Sequence, residues 1–227
     1  KNTVFSYIPN TAEVSFYGLI KRLEENLNQQ KVKQIQALGP DASTEEIAEI
    51  INRRARIEKI AIKDAKLRTF ITQDDSRDDL VAHVYDITYG SVRPGTDNLI
   101  VIDDSIVRGN TSREIVRMLK DFGAKEVYFA VACPPVKSPC FYGVDMPTKS
   151  ELIAGNMNEE EIENYLEVDA LLYQKIDDLV EAVTRKGDHH IDTPCIACLD
   201  GNYIGNDIND AKIAQMEAMR VNDRNGK

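Results

Sequence analysis

At 227 residues, 42% hydrophobic and 29% charged, the chain is long enough to bury a sizeable core and reads as a soluble globular protein of one or two domains. Its net charge of −10 argues against general nucleic-acid binding, which needs basic surface, but leaves room for a phosphorylated ligand neutralised by a cation and aimed backbone amides. No run approaches the roughly 18 apolar residues of a membrane helix. No secretory signal opens the sequence. Four Cys without such a signal point to a reducing, cytoplasmic setting rather than a disulfide scaffold. The chain opens at Lys1, with no initiating Met, directly before an apolar segment, and so reads as part of something longer.

Val4 to Ile8 reads as a strand, ended by Pro9-Asn10-Thr11. Asn10 with Glu13 three residues on has the form of a capping box, and Phe16, Ile20, Leu23 and Leu27, with Leu19 beside them, have helical spacing. Gly39-Pro40 breaks the chain. Ser43 with Glu46 then caps a second helix carrying Ile47, Ile50, Ile51 and Ala55. From Lys59 to Ile71 basic and apolar residues alternate, a pattern that suits a strand pair, a solvated basic edge strand or a flap over a site. Leu80 to Tyr89 is predicted as a helix stopped by Gly90, with His83 as one of its ordinary residues. Arg93-Pro94-Gly95 then turns the chain.

The next stretch organises the rest: N-L-I-V-I-D-D-S-I-V-R-G-N-T-S-R-E-I-V-R, residues 98–117. Leu99 to Ile102 is a short apolar run of the kind buried on both faces of a sheet. Asp103 and Asp104 follow, then a small-residue loop to Gly109, and Asn110, Thr111 and Ser112 open a helix with Ile115, Val116 and Leu119 on one face and Gly123 as its stop. Such a loop aims backbone N–H groups at the positive end of a helix dipole, where a phosphate is stabilised. Paired carboxylates at the carboxyl end of a strand suit sugar hydroxyls or a hard cation. One Asp there, or one Thr before a helix, is often only a turn or cap residue; the whole string is harder to explain that way.

Val127 to Ala132 is a further strand, and the alternation of strands with helices predicts an α/β fold with a mostly parallel, doubly wound sheet. After the loop C-P-P-V-K-S-P-C-F-Y-G-V-D-M-P-T-K-S-E-L-I-A come an acidic helix (Asn158 to Leu166), a strand (Val168 to Tyr173), a helix (Ile176 to Thr184), C-I-A-C at 195–198, a terminal helix (Ile208 to Arg220) and a frayed polar tail. Cys195 and Cys198 have metal-ligand spacing, but spacing alone equally fits a redox pair or two buried thiols; His189 and His190 lie just before them.

The string V-I-D-D-S-I-V-R-G-N-T-S-R-E-I-V closely resembles the ribose-phosphate loop of type I phosphoribosyltransferases, and within them the glutamine phosphoribosylpyrophosphate amidotransferases, with Asn110 where that family usually has Thr. P-C-F-Y-G-V-D-M-P followed by E-L-I-A resembles the same family, as do I-P-N-T-A after the first strand and R-T-F-I in the basic stretch. The resemblance runs from Val4 to about Asp207, apart from a helical insertion of about 26–58 that reads as surface structure without chemistry. It implies a partial type I phosphoribosyltransferase domain at 1–207 with flanking helices, a C-terminal helix and tail at 208–227, and an N-terminal glutaminase domain that this chain lacks.

The activity so implied is displacement of pyrophosphate by ammonia at C1 of phosphoribosyl pyrophosphate, giving 5-phosphoribosylamine, the first step of de novo purine synthesis. Carried over, Asp103 and Asp104 hold the ribose hydroxyls and Mg2+, while Ser105, Val107, Arg108, Gly109, Asn110, Thr111 and Ser112 surround the 5′-phosphate. Pro9, Asn10, Thr11 and Ala12 cradle pyrophosphate through their backbone; Ala12 lacks the hydroxyl that the family often offers a metal. Lys66 and Arg68, with Arg77, close over the leaving group, although A-K-L-R-T-F replaces the family's Tyr-Val-Gly-Arg-Thr-Phe. Asp145 lies where the family shapes the sugar pocket. The family further implies a homotetramer, feedback by end-product nucleotides and, in some members, a [4Fe-4S] cluster with ligands at Cys140, Cys195 and Cys198 and a fourth from upstream; Cys133 is not at a ligand position. Zinc or bare thiols are the alternatives. Two rival functions use the same fold: a non-catalytic sensor of phosphoribosyl pyrophosphate, which a DNA-binding element would favour, and a base phosphoribosyltransferase, which lacks the P-C-F-Y-G-V-D-M-P loop and the C-x-x-C.

Overall fold

A computed structural model describes residues 2–63, 85–87, 90–144, 146–185, 191–205 and 208–225. Strands β1 (Thr3–Tyr7), β2 (Arg56–Ile57), β5 (Asn98–Asp103), β6 (Glu126–Val131) and β7 (Ala170–Tyr173) form a five-stranded sheet in the order β2-β1-β5-β6-β7. Every pairing in it is parallel. The chain steps outward from β1 to β2, crosses back to β5, then winds the other way through β6 and β7. The reversal puts a switch point between β1 and β5, and ligands of open α/β sheets bind beyond the carboxyl ends of the strands at such a point.

Alternation within the strands separates two faces. Val4, Leu99, Val101, Val127 and Phe129 join a core closed by Ile115, Val116 and Leu119 of α3 (Asn110–Asp121), by Ile153 and Ala154 of α4 (Ile153–Asn156) and by Ile162 and Leu166 of α5 (Glu159–Leu166). On the other face Tyr7 and Ile102 pack with Ala12 and with Phe16 and Ile20 of α1 (Glu13–Leu38). The predicted strands and helices around β5, β6, β7 and α6 (Ile176–Thr184) stand where the sequence placed them, within a residue or two at each end. The predicted acidic helix is α5, and its cap is a full capping box between Asn158 and Glu161.

Several expectations need correction. Asn10 is not a cap: α1 begins at Glu13, its N-cap is Ala12, and no side chain caps it. The carboxylate that the capping-box reading would aim at the backbone instead accepts hydrogen bonds from two tyrosines. Helix α1 runs for 26 residues, so the stretch read as an insertion at Asn26 begins inside a continuous helix. Helix α2 (Thr44–Ile51) packs on α1 behind the expected Ser43–Glu46 capping box, and Arg53 hydrogen-bonds Gln34 across the pair; Ala55 lies beyond α2. Within the predicted helix 80–89, residues Tyr85–Ile87 form strand β4, antiparallel to β3 (Ala61–Lys63). Periodicity misleads over so short an apolar run. The strand-pair alternative for the basic stretch therefore holds at its first residues; Lys66, Arg68, Arg77 and His83 lie outside the described residues. Helix α8 (Asp210–Asn225) continues through V-N-D-R-N, which was expected to fray.

A buried carboxylate went unnoticed in the sequence. Asp97, wholly inaccessible, accepts from Arg56 at 2.7 Å and from Arg93 at 2.7 Å, and from the Arg93 backbone N–H at 2.8 Å. Hydrogen bonds from Arg93, outweighing burial and joined by Arg56, hold its carboxyl well below the usual carboxylate range. This ion pair ties β2 to the turn before β5, at the amino edge of the sheet, opposite the switch point.

Candidate functional site

The loop after β5 is built from outside itself. The Asp103 carbonyl accepts the Ala132 N–H at 2.9 Å, fixing the strand end. One carboxylate oxygen of Asp103 accepts the Asp104 N–H at 2.9 Å, and one of Asp104 accepts the Ser105 hydroxyl at 2.9 Å. Both aspartates are half-buried, on the β5 edge of the switch point. Ile106 is buried, and the Val107 carbonyl accepts the Ile153 N–H at 2.9 Å. Arg108 donates to Glu151 at 2.9 and 3.1 Å, so its guanidinium is largely occupied by a carboxylate that sequence reasoning missed. The signal was present: Thr148 and Glu151 form a capping box in T-K-S-E that holds Glu151 in place.

Gly109 caps α3 in the left-handed region at φ +86°, a conformation that L side chains rarely adopt. A Cβ there would lie 2.6 Å from Ile153 Cδ1 and 3.1 Å from Tyr165 Cε1. Tyr165 donates its hydroxyl to the Asn110 side chain at 3.1 Å, and the Arg113 guanidinium lies 4.7 Å from the Tyr165 ring centroid. No side chain caps α3, so the first-turn N–H groups at Asn110, Thr111 and Ser112 lack intrahelical acceptors, an arrangement that suits an anion. Ser112 is buried; Asn110 and Thr111 are half-exposed.

The loop after β1 lies beside it, because β1 and β5 are parallel neighbours with Tyr7 opposite Ile102. The Ile8 N–H donates to the Ile102 carbonyl at 2.8 Å. Pro9 and Ala12 are buried, whereas Asn10 and Thr11 are exposed. Ala12 packs into the α1-face core, so of this residue only the backbone is available to a ligand. Tyr7 donates to Glu13 at 2.6 Å and Tyr17 donates to the same oxygen at 3.1 Å. These bonds, the Tyr7 one first, lower the Glu13 carboxyl below its ordinary range; burial first and then Glu13 raise the Tyr7 hydroxyl. The sequence reading saw Glu13 only as a capping residue.

The donor set at Asp103 and Asp104 suits a hard divalent cation: two vicinal carboxylates leave most of an octahedral shell to water and phosphate oxygens, the usual pattern for Mg2+. The thiols are less well gathered. Cys198 sits within α7 (Ala197–Asp200), and its carbonyl accepts the Lys137 and Ser138 N–H groups at 2.9 and 3.0 Å. Tyr203 donates to the Pro139 carbonyl at 2.7 Å and its ring lies 5.2 Å from Phe141, so the Cys140 loop and the C-x-x-C segment are bound together. Burial raises the Cys198 thiol, and nearby Cys140 raises it further. Burial, with Cys198 and Asp104 adding, pushes Cys133 up to about 11. All four cysteines are free thiols. Among the described residues no group of three or more His, Cys, Asp or Glu is placed to hold a metal ion. Asp145, His189 and His190 lie outside the described residues. No helix among the described residues is long and apolar enough to cross a membrane.

No protein-family model matches the chain. Over 136 residues it is 43% identical to an amidophosphoribosyltransferase of Methanocaldococcus jannaschii, a match covering 60% of this chain and 27% of that protein. Over 123 residues it is 46% identical to the amidophosphoribosyltransferase of Methanothermobacter thermautotrophicus, covering 54% of this chain and 24% of that one. Among solved structures, an allosteric regulatory enzyme of purine biosynthesis superposes with a TM-score of 0.60 at 27% identity, covering 96% of this chain and 40% of the other. Glutamine phosphoribosylpyrophosphate amidotransferase from B. subtilis, complexed with ADP and GMP, superposes with a TM-score of 0.57 at 28% identity, covering 92% and 39%. The chain thus spans about a quarter of the length of these curated relatives and about two fifths of the solved chains.

Proposed function

We propose, from a sequence similar to amidophosphoribosyltransferases over more than half its length and from the type I phosphoribosyltransferase fold it shares with two solved relatives, that this chain is the phosphoribosyl-transferring part of such an enzyme. The substrate is phosphoribosyl pyrophosphate, the nucleophile ammonia, and the products 5-phosphoribosylamine and pyrophosphate. One observation carries the reading: a vicinal carboxylate pair at the carboxyl end of β5, at the switch point, leads through Gly109 into an uncapped helix end.

The first turn of α3 holds the 5′-phosphate, Asp103 and Asp104 bind the ribose hydroxyls, and the β1 loop offers backbone to the pyrophosphate. Mg2+ on the aspartate side neutralises phosphate oxygens when bound. The N–C1 bond forms as the C1–O bond breaks; the electron pair leaves with pyrophosphate and the new amine sheds a proton to water. Free ammonia is already nucleophilic, so the protein acts by position and charge rather than by general base catalysis. Lys66, Arg68 and Arg77 close over the leaving group and exclude the water that would hydrolyse the sugar phosphate. In the longer protein ammonia comes from glutamine through a glutaminase domain. That protein is a cytoplasmic homo-oligomer in which Cys140, Cys195 and Cys198 offer three thiolates to an iron–sulfur cluster, with a fourth from elsewhere. No step above depends on that cluster.

The test is pyrophosphate release from phosphoribosyl pyrophosphate by the full-length protein, with Mg2+, with and without ammonium. Release that requires ammonium and yields phosphoribosylamine supports the reading. Tight binding without release points to a sensor, and release that requires a purine or pyrimidine base points to a base phosphoribosyltransferase.

A further inference from the structure

We infer that Glu13 is a positioning residue for the leaving pyrophosphate, acting through a clasp that Tyr7 and Tyr17 close on its carboxylate; the inference rests on the assignment of the β1 loop to pyrophosphate. The clasp spans that loop: Tyr7 is the last residue of β1 and Glu13 the first of α1. Between them the described backbone bonds are few. Ile8 is tied to Ile102, and the Glu13 N–H reaches the Asn10 carbonyl at a long 3.3 Å. The helix that follows has no side-chain cap, since its N-cap is Ala12. A capping Ser or Asp would ordinarily fix this corner. Here a charge-assisted hydrogen bond of 2.6 Å from a buried tyrosine does so instead. Tyr7 is 5% exposed and its ring centroid lies 4.9 Å from that of Phe16, so the hydroxyl is fixed by the core. Tyr17, 58% exposed and 3.1 Å away, is the weaker arm.

The clasp also governs charge. A carboxylate in the first turn of a helix competes with any second anion for the same N–H groups. Two hydroxyl donors on one oxygen hold Glu13 on the tyrosine side of the turn. Loss of the clasp lets the loop sample other conformers, and apparent affinity falls in proportion to the competent fraction.

The experiment compares two ligands on the full-length protein by calorimetry. Mg2+ with phosphoribosyl pyrophosphate engages both loops, whereas ribose 5-phosphate engages only the β5 loop. Glu13→Ala and Tyr7→Phe should each weaken the first ligand by about tenfold and leave the second within about twofold. Glu13→Gln, which still accepts a hydrogen bond, should recover most of the loss. The double variant Glu13→Ala with Tyr7→Phe should be no weaker than either single one, the mark of one shared interaction. Tyr17→Phe gives a smaller loss of the same selectivity if Glu13→Ala does not fold. Equal weakening of both ligands would make the clasp merely structural and overturn the inference, as would no weakening of either. A wild-type protein that binds neither ligand overturns the functional assignment, and the inference with it.

Discussion

The two loops at the switch point look alike in sequence, each a strand followed by small or polar residues and a helix, yet they are held by opposite means. The β5 loop is fixed by partners far along the chain: Glu151 on Arg108, Ile153 on Val107, and Ile153 with Tyr165 against Gly109. The β1 loop is tied across the sheet once, by Ile8 to Ile102, and is otherwise held from its own two ends, by packing of Ala12 and by the Tyr7–Glu13 hydrogen bond. Long-range packing makes the first geometry part of the core, and disturbing it costs stability as well as affinity. A local clasp can be undone by one side chain with little effect on the sheet. Under the proposed function, the phosphate and ribose grip is the invariant side of the site and the leaving-group side the adjustable one.

The largest effect should come from removing the charge of the β5 loop. Asp103→Asn with Asp104→Asn should weaken Mg2+-dependent binding of phosphoribosyl pyrophosphate by at least roughly a hundredfold, about 3 kcal/mol, measured by calorimetry. Undiminished binding would remove the pair from the site and dissolve the contrast between the loops.

The amino edge of the sheet provides the control. Asp97→Asn should lower stability by about 2 to 3 kcal/mol in denaturant titrations, because two arginines lose a buried partner. Ligand affinity of the folded fraction should hold. The folded carboxyl titrates well below its unfolded value of about 4, so its stabilisation is complete above that pH and is lost as pH falls further. Melts between pH 5 and pH 2 should show the wild type losing more stability than Asp97→Asn.

Gly109→Ala sharpens the comparison from within the β5 loop. A left-handed backbone and a Cβ 2.6 Å from Ile153 Cδ1 should cost about 1 to 2 kcal/mol and lower Tm by roughly 2 to 8 °C. It should also weaken ribose 5-phosphate as well as phosphoribosyl pyrophosphate. The smallest effect belongs to the exposed β1-loop side chains. Asn10→Ala and Thr11→Ala should each change affinity by less than about threefold if, as proposed, that loop offers backbone rather than its exposed side chains.

Much of this was legible in the residues themselves. Leu99 to Ile102 could hardly be anything but a buried strand, and the amphipathic spacing of Ile115, Val116 and Leu119 set the face of α3 before any coordinates. The acidic pair and the helix start are contiguous in sequence, so a local reading places them together at the end of β5. What stayed hidden was long-range or competitive. Glu151 and Tyr165 reach the β5 loop only through the fold. Asp97 has Arg93 four residues before it, but nothing local shows that Arg56 reaches it from β2. Glu13 has the spacing of a capping residue, and only the burial of Tyr7 explains why the tyrosine takes the carboxylate instead. Residues 85–87 pair with β3, a partner that helical periodicity cannot reveal.

The proposed function requires the uncapped end of α3 to grip the sugar's 5′-phosphate. Amide hydrogen exchange at Asn110, Thr111 and Ser112, followed with and without ligand, tests it most directly. Protection of these amides by both ribose 5-phosphate and Mg2+ with phosphoribosyl pyrophosphate is the expected result. Exchange unchanged at these three positions, while the bound ligand protects amides elsewhere, would contradict it.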